Sequence, residues 1–164
     1  MIEKSNSVKL QFYHLVKSKF EQEKYLTLSD PTCKRSLFKL RGSSHRLGVE
    51  TGRYKKPPTS REDRICKHCD EYFNSKCIDD ETHVIESCPL YDIYRRDFSN
   101  KLSNILGAND TAALLVKGLA NIFKSSNDIR LCRLQGKFTY NILEKHKVLE
   151  ENPKDKPRKG KRKK

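Results

Sequence analysis

The chain has 164 residues, which is enough for one domain and marginal for two, and it carries a formal net charge of +14. Hydrophobic residues make up 35% and charged residues 34%, so we expect one modest core with little surplus stability. No apolar run approaches the length of a membrane span, and the N-terminus lacks a secretory signal, so we expect a nuclear or cytoplasmic protein with no membrane partner. In such a reducing compartment the six cysteines are metal ligands or buried thiols rather than three disulfides.

The positive charge is concentrated in two blocks. Residues 34–64 contain ten Lys/Arg against three Asp/Glu, and residues 152–164 contain eight against one, so each block has a net charge of +7. Residues 70–97 contain three Lys/Arg against eight Asp/Glu, a net charge of −5. This asymmetry favours a polyanionic partner, since phosphates neutralised by cations release their counterions. The alternative is a protein that is basic without any such partner.

The N-terminal third of the chain is predicted to be two helices and a loop. Apolar residues recur at helical spacing over about residues 5–27, which predicts a first helix. Asp30 as N-cap and Pro31 at the first helical position predict the start of a second helix, which Gly48 is expected to close with positive φ. Residues 48–63 have no apolar periodicity and are predicted to be a loop.

The middle of the chain is predicted to contain one hairpin between helices. Residues 65–79 are expected to form a short β-hairpin that carries a cysteine pair. Asp80 begins a brief helix that runs through Ser87, because acidic residues are favoured near a helix N-terminus. Pro89 then begins a longer helix, which Gly107 ends.

The C-terminal third is predicted to be two helices and a tail. Asp110 caps a helix over about residues 111–125, and Asp128 begins the last helix. Residues 152–164 are rich in proline, glycine and basic residues, and are expected to be disordered. The predicted fold class is therefore mainly α: one helical domain over residues 1–151, with the zinc module at about 64–98 and a disordered basic tail.

The spacing C-x2-C-x13-H-x4-C predicts a metal site formed by Cys66, Cys69, His83 and Cys88. A C-x2-C turn places two thiolates as far apart as tetrahedral zinc requires, and a helix end can direct the second pair to the same point. Three thiolates and one imidazole fill four positions and leave none for water, which indicates a single structural zinc.

Other residues near these four leave the ligand set open. Cys77 lies in the long loop before His83 and is an alternative fourth ligand, and His68 lies inside the C-x2-C turn. Cys33 and Cys132 stand alone on apolar faces, where core packing is the simpler interpretation.

Four segments in order also resemble a family. They are Arg41-x3-His45-Arg46-Leu47, Glu50-Thr51-Gly52-Arg53-Tyr54, Arg61-Glu62-x-Arg64-Ile65-Cys66-x2-Cys69 and Asp80-Glu81-x-His83-x4-Cys88-Pro89-x-Tyr91. Over about residues 36–98 this pattern resembles the zinc-binding segment found downstream of the polymerase in reverse transcriptases of animal non-LTR (LINE-like) retrotransposons. The resemblance implies an element-derived fragment or a domesticated remnant whose role is nucleic-acid binding.

Two departures from the family pattern bear on function. The loop between the cysteine pair and His83 is a few residues longer than usual, which keeps Cys77 an alternative ligand. The chain has no aromatic-x-Asp-Asp polymerase motif and no nuclease core of the Pro-Asp…Asp/Glu-x-Lys type, so we expect no catalytic residues and no enzymatic activity.

The first basic block supplies the predicted nucleic-acid contacts. Arginine and lysine contact phosphates, and an exposed tyrosine stacks on an unpaired base. For several of these residues an internal polar network around Glu50 is the alternative. The tail at 152–164 reads as a nuclear-localisation or non-specific nucleic-acid arm, or else as a solvated solubility tail. The predicted contact residues are Arg41, His45, Arg46, Arg53, Tyr54, Lys55, Lys56, Arg61 and Arg64.

Two other function classes compete with RNA or DNA binding. A protein-interaction module would dock a partner through the acidic segment 70–97 and the last helices, with zinc holding its structure together. A metal-dependent hydrolase would need an open metal position, against which the filled Cys3His set argues.

Overall fold

The computed structural model describes residues 10–17, 21–124 and 127–151, and these form a mainly helical domain. Strands are absent from these three ranges, where one isolated antiparallel bridge joins Ile65 and Ile78. Short 3₁₀ turns cover Lys24–Thr27, Gly52–Tyr54 and Pro89–Tyr91. The helices are α1 (Gln11–Val16), α2 (Pro31–Arg41), α3 (Gly48–Thr51), α4 (Lys67–Phe73), α5 (Glu81–Glu86), α6 (Asp92–Leu106), α7 (Ala108–Val116), α8 (Leu119–Ile122) and α9 (Ile129–Glu151).

The long helix α9 is the centre of the fold and packs against both α2 and α6. Cys33 near the start of α2 meets Gly136, where an added Cβ would lie 2.6 Å from the Cys33 Cβ. Toward the end of α2, Lys39 borders the same depression as Leu143, so α2 and α9 run parallel. Helix α6 runs antiparallel to α9 because Phe98 contacts Phe138 while Tyr91, which precedes α6, reaches His146.

Four phenylalanines connect these helices in the core. Phe98 and Phe138 have ring centroids 4.7 Å apart, and Phe123 lies 6.3 and 6.1 Å from them. Phe12 of α1 meets Phe123 edge-on at 6.2 Å. All four rings are almost fully buried. Each burial contributes roughly 1.5–3 kcal/mol, so this cluster is a major part of what holds α1, α6 and α9 together.

A buried ion cluster lies beside the aromatic core. The Arg41 guanidinium is 2.5 Å from the Glu23 carboxylate and donates to the Phe123 carbonyl, and it stacks over the Tyr25 ring at 5.3 Å. The Lys17 ammonium, also buried, lies 3.4 Å from Glu23. Burial raises the pKa of the Tyr25 hydroxyl to about 12. The cluster fixes α1, the 3₁₀ turn and α2 relative to one another.

The predicted first and second helices are both shorter than expected. The helix predicted over 5–27 is limited in the described residues to α1, and its predicted parts at 5–9 and 18–20 lie outside them. Lys17 leaves α1 in an extended conformation because its ammonium joins Glu23 and the Glu21 carbonyl. Helix α2 ends at Arg41, where Ser43 takes the left-handed conformation (φ 46°) expected of Gly48, and Gly48 instead begins α3.

The β-hairpin expected over 65–79 is not confirmed. Helix α4 occupies the segment after Cys66 and ends at Asn74 in the left-handed conformation (φ 51°). Pairing is limited to Ile65 and Ile78, flanked by hydrogen bonds from Cys66 N to Cys77 O and from Asp79 N to Arg64 O. The start of helix α4, rather than a pair of strands, holds the cysteine pair.

Two predicted helix caps are confirmed, whereas Asp110 lies in the first turn of α7 instead of capping it. Asp30 accepts hydrogen bonds from the Thr32 and Cys33 amides, and Pro31 begins α2 as predicted. Asp80 caps α5. The stretch predicted at 111–125 divides into α7 and α8 because Gly118 (φ 91°) interrupts it. The predicted disordered tail lies outside the described residues. No helix in the described part of the chain is long and apolar enough to cross a membrane.

Candidate metal centre and basic groove

Three short helical segments supply the four predicted metal ligands. Cys66 immediately precedes α4 and Cys69 lies in its first turn, so a single turn of helix places both thiols on one side. His83 lies within α5, and Cys88 directly precedes the 3₁₀ turn that Pro89 begins. All four side chains are buried.

The four ligand atoms form a compact group that can hold one metal ion. They all lie within 4.8 Å of one another. The Cys66 and Cys69 sulfurs lie 3.9 and 3.8 Å from the Cys88 sulfur, and the Cys69 sulfur lies 3.3 Å from Nε2 of His83. A tetrahedral site with metal–sulfur bonds of about 2.3 Å has edges of about 3.8 Å between sulfurs. The donor set therefore has the dimensions of tetrahedral coordination.

The pKa values of the thiols show what a cation would contribute here. The hydrogen bond with the Cys88 thiol lowers the pKa of Cys66 to about 3. Burial raises the pKa of Cys69 to about 12, and the hydrogen bond to Cys66 raises the pKa of Cys88 above its ordinary range. Burial and mutual repulsion both oppose three thiolates in one group, and a bound cation would offset both.

Hydrogen bonds around the group orient its ligands. Nδ1 of His83 lies 3.1 Å from Oγ of Ser87, which leaves Nε2 directed at the sulfurs. The His83 amide donates to the Asp80 carboxylate at 2.9 Å. The Arg95 guanidinium donates to the carbonyls of Cys88 and Val84 and so holds the turn that carries Cys88. Such outer contacts fix the ligating nitrogen of a histidine and the direction of its ring.

The two alternative ligands stand outside the group. Cys77 is half-buried, and its sulfur lies 3.2 Å from the Ser75 hydroxyl. The His68 ring packs on Tyr72 with centroids 4.9 Å apart and on Phe73. Neither residue belongs to the cluster of Cys66, Cys69, His83 and Cys88. Cys33 and Cys132 are buried in the core, as their apolar surroundings predicted.

A chain of polar contacts connects the candidate metal centre to α9. The Tyr91 hydroxyl lies 3.0 Å from Nδ1 of His146, and Nε2 of His146 lies 3.5 Å from the Asp79 carboxylate. Asp79 also accepts the Gly48 amide at 2.7 Å, and burial raises its pKa. The segments on either side of the ligands are thus tied to the end of α9.

Five of the predicted nucleic-acid contacts have partners inside the protein. Arg41 is buried in the ion cluster with Glu23, and the His45 side chain pairs with Glu81 at 2.9 Å with 1% of its surface exposed. Arg53 pairs with Glu50 at 3.3 Å, and Arg61 with Asp80 at 2.9 Å. The Arg64 guanidinium donates to the carbonyls of Thr59 and Val49, with its stem against Gly52. Internal pairing of these basic residues therefore involves several acidic side chains and not Glu50 alone.

The other four predicted contacts are exposed and lie near one another. Arg46, Lys55 and Lys56 are exposed, and 75% of the Tyr54 side chain is accessible. Tyr54 and Arg46 border a groove of about 350 Å³ between the end of α2 and the C-terminal half of α9. Lys39 of α2 and Lys147 of α9 line the same groove, which also includes Glu50 and Glu144.

Lys39 and Lys147 line the groove but are not among the contact residues predicted from the sequence. Each reads as an ordinary polar position of an amphipathic helix, and more than 100 residues separate them along the chain. Helical periodicity indicates that both face solvent. It carries no signal that α2 and α9 pack in parallel and bring the two lysines to one groove.

Comparisons with protein-family models, with curated proteins and with solved structures find no match to this chain.

Proposed function

We propose that this chain is a non-catalytic nucleic-acid-binding module that a single structural zinc ion stabilises. The observation that carries the proposal is the groove between α2 and α9, which Lys39, Arg46 and Lys147 line together with the exposed Tyr54. Cations that track a phosphate backbone beside an aromatic side chain are typical of proteins that bind single strands. Lys55 and Lys56 extend the positive surface beyond Tyr54.

Zinc is the metal that this donor set fits best. Three sulfurs and one imidazole nitrogen with tetrahedral spacing suit zinc, whereas calcium and magnesium prefer oxygen ligands. With four protein ligands the ion has no open position for water, so its role is structural rather than hydrolytic. Its contribution to binding is indirect: it fixes α4 and α5, against which the loop carrying Arg46 and Tyr54 is built.

The resemblance to the zinc-binding segment of LINE-like reverse transcriptases supports the same proposal. The residues that carry the resemblance include the four ligands as well as Arg46 and Tyr54. Under this proposal the chain retains the nucleic-acid contact of such an element and none of its polymerase chemistry. Binding through phosphates and one stacked base selects little sequence, so RNA and DNA single strands both serve as ligands.

The protein-interaction alternative rests on a different surface. Val116 at the end of α7 is 88% exposed and Ile93 of α6 is 64% exposed. The acidic segment gives it less support than the sequence suggested, because Asp79, Asp80 and Glu81 bind partners within the fold. We therefore favour nucleic acid as the ligand.

A salt series of binding to a fluorescein-labelled single-stranded RNA tests the proposal. We expect affinity to fall steeply with salt, and Lys39→Gln and Lys147→Gln each to reduce the slope of log affinity against log salt by about 0.7. Lys117→Gln is the matched control, because Lys117 is exposed at the end of α7 and away from the groove. Equal slopes for all three variants would place binding elsewhere, and no binding at low salt would favour the protein-interaction module.

A further inference from the structure

A second depression lies on the other side of the turn that carries Tyr54. It has a volume of about 420 Å³, which is within the range of cavities that hold small ligands (about 300–1,000 Å³). Lys55 lies at its edge, and His146 borders both this cavity and the groove. The cavity and the groove are therefore neighbours across the Gly52–Tyr54 turn.

The walls of this cavity suit a flat aromatic ligand. The rings of Tyr72 and His68 lie on one side, packed together with centroids 4.9 Å apart. Leu90 and Leu149 supply apolar surface. The Tyr91 hydroxyl, which also belongs to the lining, is hydrogen-bonded to His146 and so has a partner before any ligand binds.

Charge at the edge of the cavity suits a ligand that carries a phosphate. Lys55 and Lys67 line the cavity and are exposed to solvent. Three acids also line the cavity: Asp63, Glu71 and Asp79. Asp63 accepts a hydrogen bond from the Ser60 hydroxyl, and Asp79 accepts one from the Gly48 amide and pairs with His146. An aromatic interior with lysines at its edge is the arrangement expected for a base inside and its phosphate outside.

We propose that this cavity binds one unpaired base of a strand whose backbone lies in the groove, a proposal that rests on the nucleic-acid-binding function above. The strand crosses the Gly52–Tyr54 turn, contacts Lys55, and inserts the next base beside Tyr72. Stacking accepts any base, so the cavity adds affinity and a preference for single strands over duplexes. A duplex keeps its bases paired and cannot fill the cavity without paying for unstacking.

A tryptophan placed in the cavity tests the proposal against a matched control. Leu149→Trp fills the cavity from the last turns of α9, whereas Val148→Trp adds the same side chain at a neighbouring position that is 41% exposed and outside the lining. Thermal melts followed by circular dichroism establish that both variants are folded. Adenosine 5′-monophosphate is the probe for the cavity, and labelled single-stranded RNA is the probe for the groove and cavity together.

We expect saturation-transfer NMR to detect contact between the adenine protons and the unaltered protein and the Val148→Trp variant, but not Leu149→Trp. We expect Leu149→Trp to weaken RNA binding roughly fivefold or more, the loss typical of one stacked base, with an unchanged salt slope. Equal RNA affinity in both tryptophan variants, with no saturation transfer, would overturn the cavity proposal. Lys39→Gln would still weaken RNA binding in that case, so the groove would stand.

Two other outcomes would also overturn it. In the first, the hydrophobic dye 1-anilinonaphthalene-8-sulfonate binds the unaltered protein but not Leu149→Trp, and adenosine 5′-monophosphate binds neither. The cavity would then be a site for an apolar side chain of a protein partner. If the unaltered protein does not bind the RNA at low salt, the cavity proposal and the proposed function fail together.

Discussion

At the scale of single residues, arginines of one basic segment have very different tasks. Arg41 is enclosed by Glu23, Tyr25 and a backbone carbonyl, whereas Arg46 is exposed beside the groove. A buried guanidinium stabilises the fold only while its carboxylate remains in place. Charge counted along the sequence therefore overstates the positive surface that a phosphate can contact.

Replacing Arg41 should expose this difference as a loss of stability. Arg41→Met leaves Glu23 buried, with Lys17 as its remaining ion-pair partner among the described residues, and breaking a buried pair costs about 3–5 kcal/mol of unfolding free energy. Arg35→Met, at an exposed position of the same helix, should change it by less than about 0.5 kcal/mol. Urea unfolding measures both values. Similar small losses would mean that Arg41 contributes no more to the fold than an exposed arginine.

Single cysteine substitutions should separate the metal ligands from their alternative. Cys66→Ser removes one of four ligands, so we expect the zinc content of the purified protein to fall from one per chain to well below one. Cys77→Ser should retain one zinc per chain, because the Cys77 thiol lies outside the cluster. Metal analysis of the two variants is the measurement. If Cys77→Ser loses zinc and Cys66→Ser does not, Cys77 is a ligand and Cys66 is not.

At the scale of elements, the closest approach of two helices depends on a missing side chain. Gly136 lies in the middle of α9, where glycine costs helix stability of about 1 kcal/mol relative to alanine. Its Cα faces Cys33, and a Cβ there would lie 2.6 Å from the Cys33 Cβ and 2.9 Å from its backbone. The position favours glycine because the helices approach closely, although helix propensity alone favours alanine.

Gly136→Ala should therefore destabilise the protein despite the gain in helix propensity. Overpacking costs about 1–3 kcal/mol when the neighbouring atoms belong to a backbone that must move. Glu144→Ala, at an exposed position of the same helix, should be close to neutral. Thermal unfolding compares the two. A more stable Gly136→Ala variant would show that α2 and α9 can separate at no cost.

Sequence predicted the elements that have local signals. The caps at Asp30 and Asp80 and the positions of the four metal ligands depend on residues close in the chain, and the structure confirms that these four come together. The helix predicted over residues 5–27 is longer than α1 because apolar periodicity does not reveal that Lys17 leaves the helix to form a buried ion pair. The predicted contact residues include only some of those that line the groove, since Lys39 and Lys147 meet through a long-range helix contact.

At the scale of the whole molecule, the metal centre is joined to the helical core at two points. Tyr91 and Asp79, from either side of the ligands, both reach His146 in the C-terminal half of α9. Glu86 at the end of α5 accepts the Leu119 and Ala120 amides that begin α8. Loosening of the structure at the ligands should therefore extend to α8 and α9 but not to the start of α2.

Removing the metal should loosen one part of the molecule more than another. With excess EDTA we expect faster amide hydrogen exchange in α4, α5 and the last turns of α9, because binding energy contributes directly to folding in such sites. The start of α2, which packs on Cys33 and Gly136, should retain more protection. Cys66→Ser without a chelator should show the same pattern. Unchanged hydrogen exchange in the EDTA-treated protein and in Cys66→Ser would show that the metal has no structural role.

The parallel pairing of α2 with α9 also has a consequence for the order of events during synthesis. Cys33 contacts the carbonyl of Arg133, a residue 100 positions later in the chain. At about 5–20 residues per second, the ribosome releases α9 roughly 5–20 seconds after α2. The four candidate metal ligands lie between these helices in sequence, so they leave the ribosome before α9 does. Under the proposed function, this segment can bind zinc before α9 is available to pack against α2. The apolar face of α2 is exposed to aggregation during that interval.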